Sequence, residues 1–160
     1  MIGAVLALMM LTPGCYTPPV DAPIVDPFRA PACAFCAGNR GLEYQPPPGS
    51  TVVAAAPGVV RFSGLVAGVR YLVVDQTDGR AATYGRLAVA MVALGSTVGQ
   101  GDVLATSTGR FFFGLREAQH YVDPAPFLGQ PRYRRRLLPI GTWPRRPPPA
   151  PVMVCSGWAT

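Results

Sequence analysis

Between Thr51 and Arg116 apolar and polar positions alternate in short runs broken by Gly and Asp, a period of two that belongs to half-buried strands. The runs 51–56, 58–63, 69–75, 80–87, 103–106 and 111–116 each predict a strand. Strands this short and this frequent predict an all-β, antiparallel sandwich or barrel. Thr77-Asp78-Gly79 separates two of the runs and predicts a tight hairpin, because Gly supplies the positive φ such turns require. No stretch of ten or more residues combines helical spacing with capping residues, so little helix is expected.

The pattern changes at both ends. Ile2 to Leu11 is continuously apolar, far shorter than the ~20 residues a membrane-spanning helix needs, and reads as the core of an export signal with no Lys or Arg before it. Cys15 follows Leu11-Thr12-Pro13-Gly14, a loose version of a bacterial lipoprotein cleavage site. Cys15 is therefore a candidate for lipidation and peripheral membrane attachment. Residues 16–31 hold five prolines without periodicity and predict an extended arm. After Gly129 the chain turns to Pro and Arg, with Pro147-Pro148-Pro149 and Pro151 close together, which predicts an extended, flexible tail. The expected division is 1–15 export signal, 16–31 arm, 32–129 β domain and 130–160 tail.

Composition narrows this further. A chain of 160 residues, 49% apolar and 14% charged, suits one packed core and excludes an open disordered chain. All fourteen basic residues are Arg, and six lie beyond Gln130, at Arg132, Arg134, Arg135, Arg136, Arg145 and Arg146. Basic residues gathered in a Pro-rich tail of an exported chain argue against nucleic acid as a partner. The cysteines are Cys15, Cys33, Cys36 and Cys155. Cys33-Ala34-Phe35-Cys36 has the spacing of a redox motif, of half a zinc site, or of a local disulfide. Pro31 before it and Gly38 and Gly41 after it oppose the helix a redox motif needs, and no second pair matches it, which favours a disulfide. Cys155 could tie the tail back to Cys33 or Cys36.

Six ordered segments resemble the LytM or lysostaphin-type zinc endopeptidases, which cut peptide cross-links in bacterial cell walls. Asn39-Arg40-Gly41-Leu42-Glu43 is similar to the family's His-Arg-Gly-x-Asp. Pro48 to Val60, Pro-Gly-Ser-Thr-Val-Val-Ala-Ala-Ala-Pro-Gly-Val-Val, is similar to its "PGTPVYAAADGVV" hairpin. Tyr84-Gly85-Arg86-Leu87 stands where it has Tyr-x-His-Leu, and Val98 to Leu104 matches its Gly-containing turn. Arg110-Phe111-Phe112 takes the place of His-Leu-His, and Val122-Asp123-Pro124 matches the closing Val-Asp-Pro.

The resemblance implies an antiparallel groove with zinc on its floor, held by two His and one Asp, and two further His beside it. At those ligand positions this chain has Asn39, Glu43 and Phe112, and at the accessory positions Arg86 and Arg110. A single carboxylate does not make the three protein ligands of catalytic zinc, and Arg stays protonated, so it is no general base. The chain is thus expected to be a degenerate, non-catalytic member without metal, its groove lined by Asn39, Glu43, Tyr84, Arg86, Arg110 and Phe112. Strand alternation puts Arg110 with Phe112, and Tyr84 with Arg86, on the groove face, with Glu43 bridging the arginines. The lone His120 is read as a surface residue. Peptidoglycan peptides or an envelope hydrolase are the expected partners. The alternatives are an active zinc endopeptidase with an unconventional site, and a structural envelope protein whose basic tail binds anionic polymers. A groove sealed by its ion pair, with no ligand at all, is the plainest outcome.

Overall fold

The computed structural model describes residues 14–33, 35–133 and 150–157. The apolar stretch 2–11 and the arginines of 134–149 lie outside the described residues. The chain is almost entirely β. In order come β1 (Ile24–Asp26), β2 (Leu42–Tyr44), β3 (Thr51–Val53), β4 (Gly58–Val66), β5 (Val69–Gln76), β6 (Arg80–Ala90), β7 (Thr97–Val98), β8 (Val103–Glu117), β9 (His120–Val122), β10 (Gln130–Arg132) and β11 (Val152–Val154). A short 3-10 turn, Ala125–Phe127, is the one helical element among the described residues. β1 to β9 form an antiparallel sheet in the order β1-β2-β8-β6-β5-β4-β7, with β3 and β9 also paired to β8.

Local sequence explains the joints. β5 and β6 meet at the expected Thr77-Asp78-Gly79 turn, where Gly79 takes φ 88° and donates its N–H to the Gln76 carbonyl at 3.1 Å. β4 and β5 meet at Ala67-Gly68, both with positive φ (49° and 77°), the hand of turn that matches strand twist. The runs 103–106 and 111–116 belong to one strand, β8, because Gly109 between them (φ 98°) bends the strand without ending it.

Alternation sets the core. Phe111, Phe113 and Leu115 of β8 face inward with Leu72 and Val74 of β5, Ala82 and Tyr84 of β6, Val60 of β4 and Leu42 of β2, all buried. Four rings interlock there: Tyr44 with Phe111 at 5.7 Å between centroids, Phe111 with Tyr84 at 6.4 Å, and Tyr84 with Phe113 at 5.3 Å. Truncating a buried ring of this kind to Ala typically costs about 3–5 kcal/mol.

Residues 16–20 join this core and 150–157 fold back against 126–132, unlike the expected arm and tail. Tyr16 and Val20 are buried in the central cluster. Val53 donates its N–H to the Pro19 carbonyl at 2.9 Å, and β1 pairs with β2, so 16–31 borders the sheet and the domain reaches back to Tyr16. At the other end Gln130, Pro131 and Arg132 pair with Val154, Met153 and Val152. Cys155 is bonded to Cys15, 140 positions away in sequence, and neither Cys33 nor Cys36 is its partner. That disulfide also corrects the lipidation reading, since a lipid thioether at Cys15 would need the same sulfur. Cys33 and Cys36 form the local disulfide expected of them.

Candidate functional site

One cross-strand row organises the outer face of the sheet. Glu43 on β2 stands opposite Phe112 on β8, Phe112 opposite Gly85 on β6, and Gly85 opposite Tyr71 on β5. Phe112 lies half-buried outside while its neighbours Phe111 and Phe113 are fully buried, as period-two alternation requires. Its ring occupies space that glycines leave open: a Cβ on Gly41 would come within 2.7 Å of Phe112 Cζ, and one on Gly114 within 2.9 Å of Phe112 Cε1.

Arg86 reaches this face through a bulge. Its φ of 62° is left-handed, and the β6–β8 register shifts between Gly85 and Leu87. The Thr108 hydroxyl donates to the Arg86 carbonyl at 3.0 Å, with the Arg110 carbonyl 3.2 Å away, which pins the two irregular segments together. Backbone strain of this sort at a non-glycine residue costs on the order of 1–3 kcal/mol and persists only where surroundings hold it.

What holds it is visible at the side-chain end. Arg86 grips Glu43 with two parallel hydrogen bonds, Nη1 to Oε2 at 3.0 Å and Nη2 to Oε1 at 2.9 Å, and Arg110 adds Nη2 to Oε2 at 3.1 Å. The Glu43 side chain is only 17% exposed and that of Arg86 31%, whereas Arg110 is 69% exposed and has donors to spare. Beside the triad a cleft of about 370 Å³ is lined by Gly68, Val69, Arg70, Arg86, Leu87, Thr108 and Arg110. Arg86 and Arg110 share one carboxylate and Arg70 lines the same cleft, which leaves it cationic. It suits a planar anion that bidentate Arg contacts can read.

Of the six expected groove residues, Glu43, Arg86, Arg110 and Phe112 converge. Asn39 borders them but turns its amide to the backbone: Nδ2 donates to the Asp26 and Pro27 carbonyls at 3.2 and 3.0 Å, and Oδ1 accepts from Gly41 N–H at 3.3 Å. Tyr84 is a correction. It is wholly buried on the opposite face, where its hydroxyl accepts the Ala55 N–H at 2.9 Å. The bulge at Arg86 breaks the alternation that would have put the two side chains together. His120 is exposed on β9 opposite Glu117, outside the Glu43–Phe112 row. Arg70, Tyr71 and Thr108 are site residues the sequence reading missed; the glycines Gly68 and Gly109 beside them were its available signal.

The donor set at the three zinc-ligand positions consists of an amide engaged with backbone, a carboxylate engaged with two arginines, and a hydrocarbon ring. Among the described residues no group of three or more His, Cys, Asp or Glu gathers anywhere to hold a metal ion.

Several solved structures share the fold. Helicobacter pylori Csd3 is 20% identical with a TM-score of 0.63, covering 72% of this chain and 33% of that one, so the chain spans about a third of it. A chain of the SpoIIQ–SpoIIIAH pore forming complex is 17% identical with a TM-score of 0.62, over 72% of this chain and 91% of that one. The catalytic domain of the antimicrobial peptidase lysostaphin from Staphylococcus simulans is 18% identical with a TM-score of 0.59, over 66% and 91%. No curated protein sequence matches the chain significantly. Peptidase family M23 matches residues 37–124, a span that takes in the Glu43 triad, the Phe112 row and more than half of the chain. By that match and by its fold, the chain belongs to peptidase family M23.

Proposed function

We propose that this chain is a catalytically inactive M23 domain of the cell envelope that binds carboxylate-bearing wall peptides, or an enzyme that acts on them. One observation carries the reading: the carboxylate that would ligate zinc is instead clamped by Arg86 and Arg110. A metal would have to break three charge-assisted hydrogen bonds to reach it, with no imidazole or thiolate beside it to help. What the site offers in place of a Lewis acid is fixed positive charge next to an aromatic ring.

Two further facts support the reading. Both disulfides, Cys15–Cys155 and Cys33–Cys36, suit an oxidising compartment outside the cytosol. A chain sharing this fold belongs to the SpoIIQ–SpoIIIAH pore forming complex.

The test has a metal arm and a ligand arm. Purified protein is expected to carry far less than one equivalent of zinc and to keep its melting temperature under a chelator. Stoichiometric zinc would revive the peptidase. In calorimetry with soluble wall peptides, Arg110→Ala should weaken binding about tenfold, since one charge-assisted contact is worth about 1.5–3 kcal/mol, and Phe112→Ala should weaken it through loss of the ring's apolar contact. Added salt should weaken the wild type as well. Unchanged affinity in both variants would sink the groove reading.

A further inference from the structure

The outer face holds more aromatic surface than the ion triad uses. Three rings lie where glycine leaves room for them. Phe112 covers Gly41 and Gly114, as described. Tyr71 covers Gly85, whose added Cβ would come within 2.5 Å of Tyr71 Cε1, and Phe62 covers Gly64, with a corresponding distance of 3.2 Å. In register, Gly85 sits between Phe112 and Tyr71, and Gly64 lies opposite Tyr71 on β4. Strand side chains ordinarily stand off the sheet, so a ring lodged over a glycine leans onto the backbone and turns part of its π face outward.

The rings make a floor that runs from β8 across β6 and β5 to β4. A shallow cleft of about 640 Å³ opens over it, lined by Phe62, Val66, Val69, Tyr71, Val73 and Tyr121. Phe62 is 38% exposed and Tyr121 42%, with the Arg40 and Arg116 guanidinium carbons 5.7 and 5.8 Å from the Tyr121 ring centroid. Val69 lines this cleft and the arginine-lined one alike, so the aromatic floor and the cation cluster form one continuous face.

We infer that this face binds a polysaccharide strand bearing carboxylate groups. A pyranose ring has an apolar C–H face and a polar rim, which matches an open π floor bordered by Arg40, Arg70, Arg116 and Thr83. An acyl chain has no polar rim and is best buried on all sides, which a shallow cleft does not provide. The charge is complementary too: carboxylates on the strand meet Arg70 and Arg110, whose partner Glu43 answers only part of the local charge. The cationic half of the inference rests on the non-catalytic reading of the Glu43 site. The aromatic half does not.

The experiment titrates the full chain with two probes of equal length, the hexamer of N-acetylglucosamine and a hexameric polyuronate, followed by calorimetry and NMR. Both should bind, the polyuronate at least tenfold tighter at low salt. Phe62→Ala and Tyr71→Ala should each weaken both probes about tenfold at unchanged melting temperature, whereas Arg70→Ala should weaken only the polyuronate. No binding of either probe overturns the inference, as does binding indifferent to Phe62→Ala and Tyr71→Ala. A concentration-dependent dimer dispersed by Phe62→Ala also overturns it, in favour of a second copy as the occupant. Wall peptides that bind through Arg110 while both saccharides fail would leave the proposed function standing without this inference. Saccharides that bind through Tyr71 while peptides fail would do the reverse.

Discussion

Glu43 decides what the arginines can do. It occupies the bidentate fork of Arg86 and one donor of Arg110, so any incoming carboxylate competes with an internal one. Glu43→Gln removes that competitor while preserving shape. The folded state then holds a poorly exposed Arg86 without its counterion, and stability should fall by about 1–3 kcal/mol, below the penalty for a fully buried pair because the site is partly wet. Affinity for carboxylate peptides should rise several-fold at the same time. Thermal melting and calorimetry on one preparation check both signs. If the variant melts lower and binds no better, the ion pair is structural only and the cleft is sealed by it.

At the scale of elements, buried tyrosines tie separate segments together. Tyr16 donates its hydroxyl to Asp78 in the β5–β6 turn, Tyr84 links β6 to the Ala55 loop, and Tyr44 packs between β2 and β8. All three phenols are pushed well above the ordinary value, chiefly by burial; for Tyr16 the hydrogen bond to Asp78 adds to it. The unfolded chain loses these protons near pH 10 and the folded chain holds them longer, so their contribution is whole below pH 10 and is lost above it. Each tyrosine should steepen the fall by up to about 1.4 kcal/mol per pH unit. Urea midpoints measured from pH 8 to 12 should drop sharply beyond 10, and Tyr16→Phe should flatten that limb. A flat limb in the wild type would mean the phenols ionise without unfolding.

The elements also show what the sequence could reveal. Five of the six runs lie within β4, β5, β6 and β8, legible because apolar stretches recur between Gly and Asp turns. β1, β2, β9, β10 and β11 have three residues each, too few to establish a period. Motif order, not periodicity, located Glu43, Arg86, Arg110 and Phe112. Tyr84 was misassigned because a left-handed Arg86 is invisible to alternation, and Arg seldom takes that conformation. The Cys15–Cys155 pairing was closed to sequence reasoning, since spacing does not determine connectivity.

For the whole molecule, that disulfide links the start and the end of the described chain. Closing a loop of 140 residues lowers the entropy of the unfolded chain by an amount worth about 5 kcal/mol in the loop model, a large share of the roughly 5–15 kcal/mol of an ordinary domain. Cys155→Ser should therefore lower the melting temperature by more than ten degrees while leaving the Glu43 site assembled. A variant that melts like the wild type would show that the unfolded ends stay together without the bond. The basic tail should accordingly be tested by changing Arg134, Arg135, Arg136, Arg145 and Arg146 to Ser. Ending the chain at Gly129 would also remove Cys155 and confuse charge with closure.

The same bridge has a mechanical consequence. Tension applied between Cys15 and Cys155 would pass through a single covalent link with a Cα span of 5.6 Å. The hydrogen-bonded strands between them lie outside the load path, as a loop of slack rope does when its two ends are clipped together. Stretching this protein between neighbours would strain sulfur before it strained a single strand, and the face that carries Glu43 and Phe112 would keep its shape under pull.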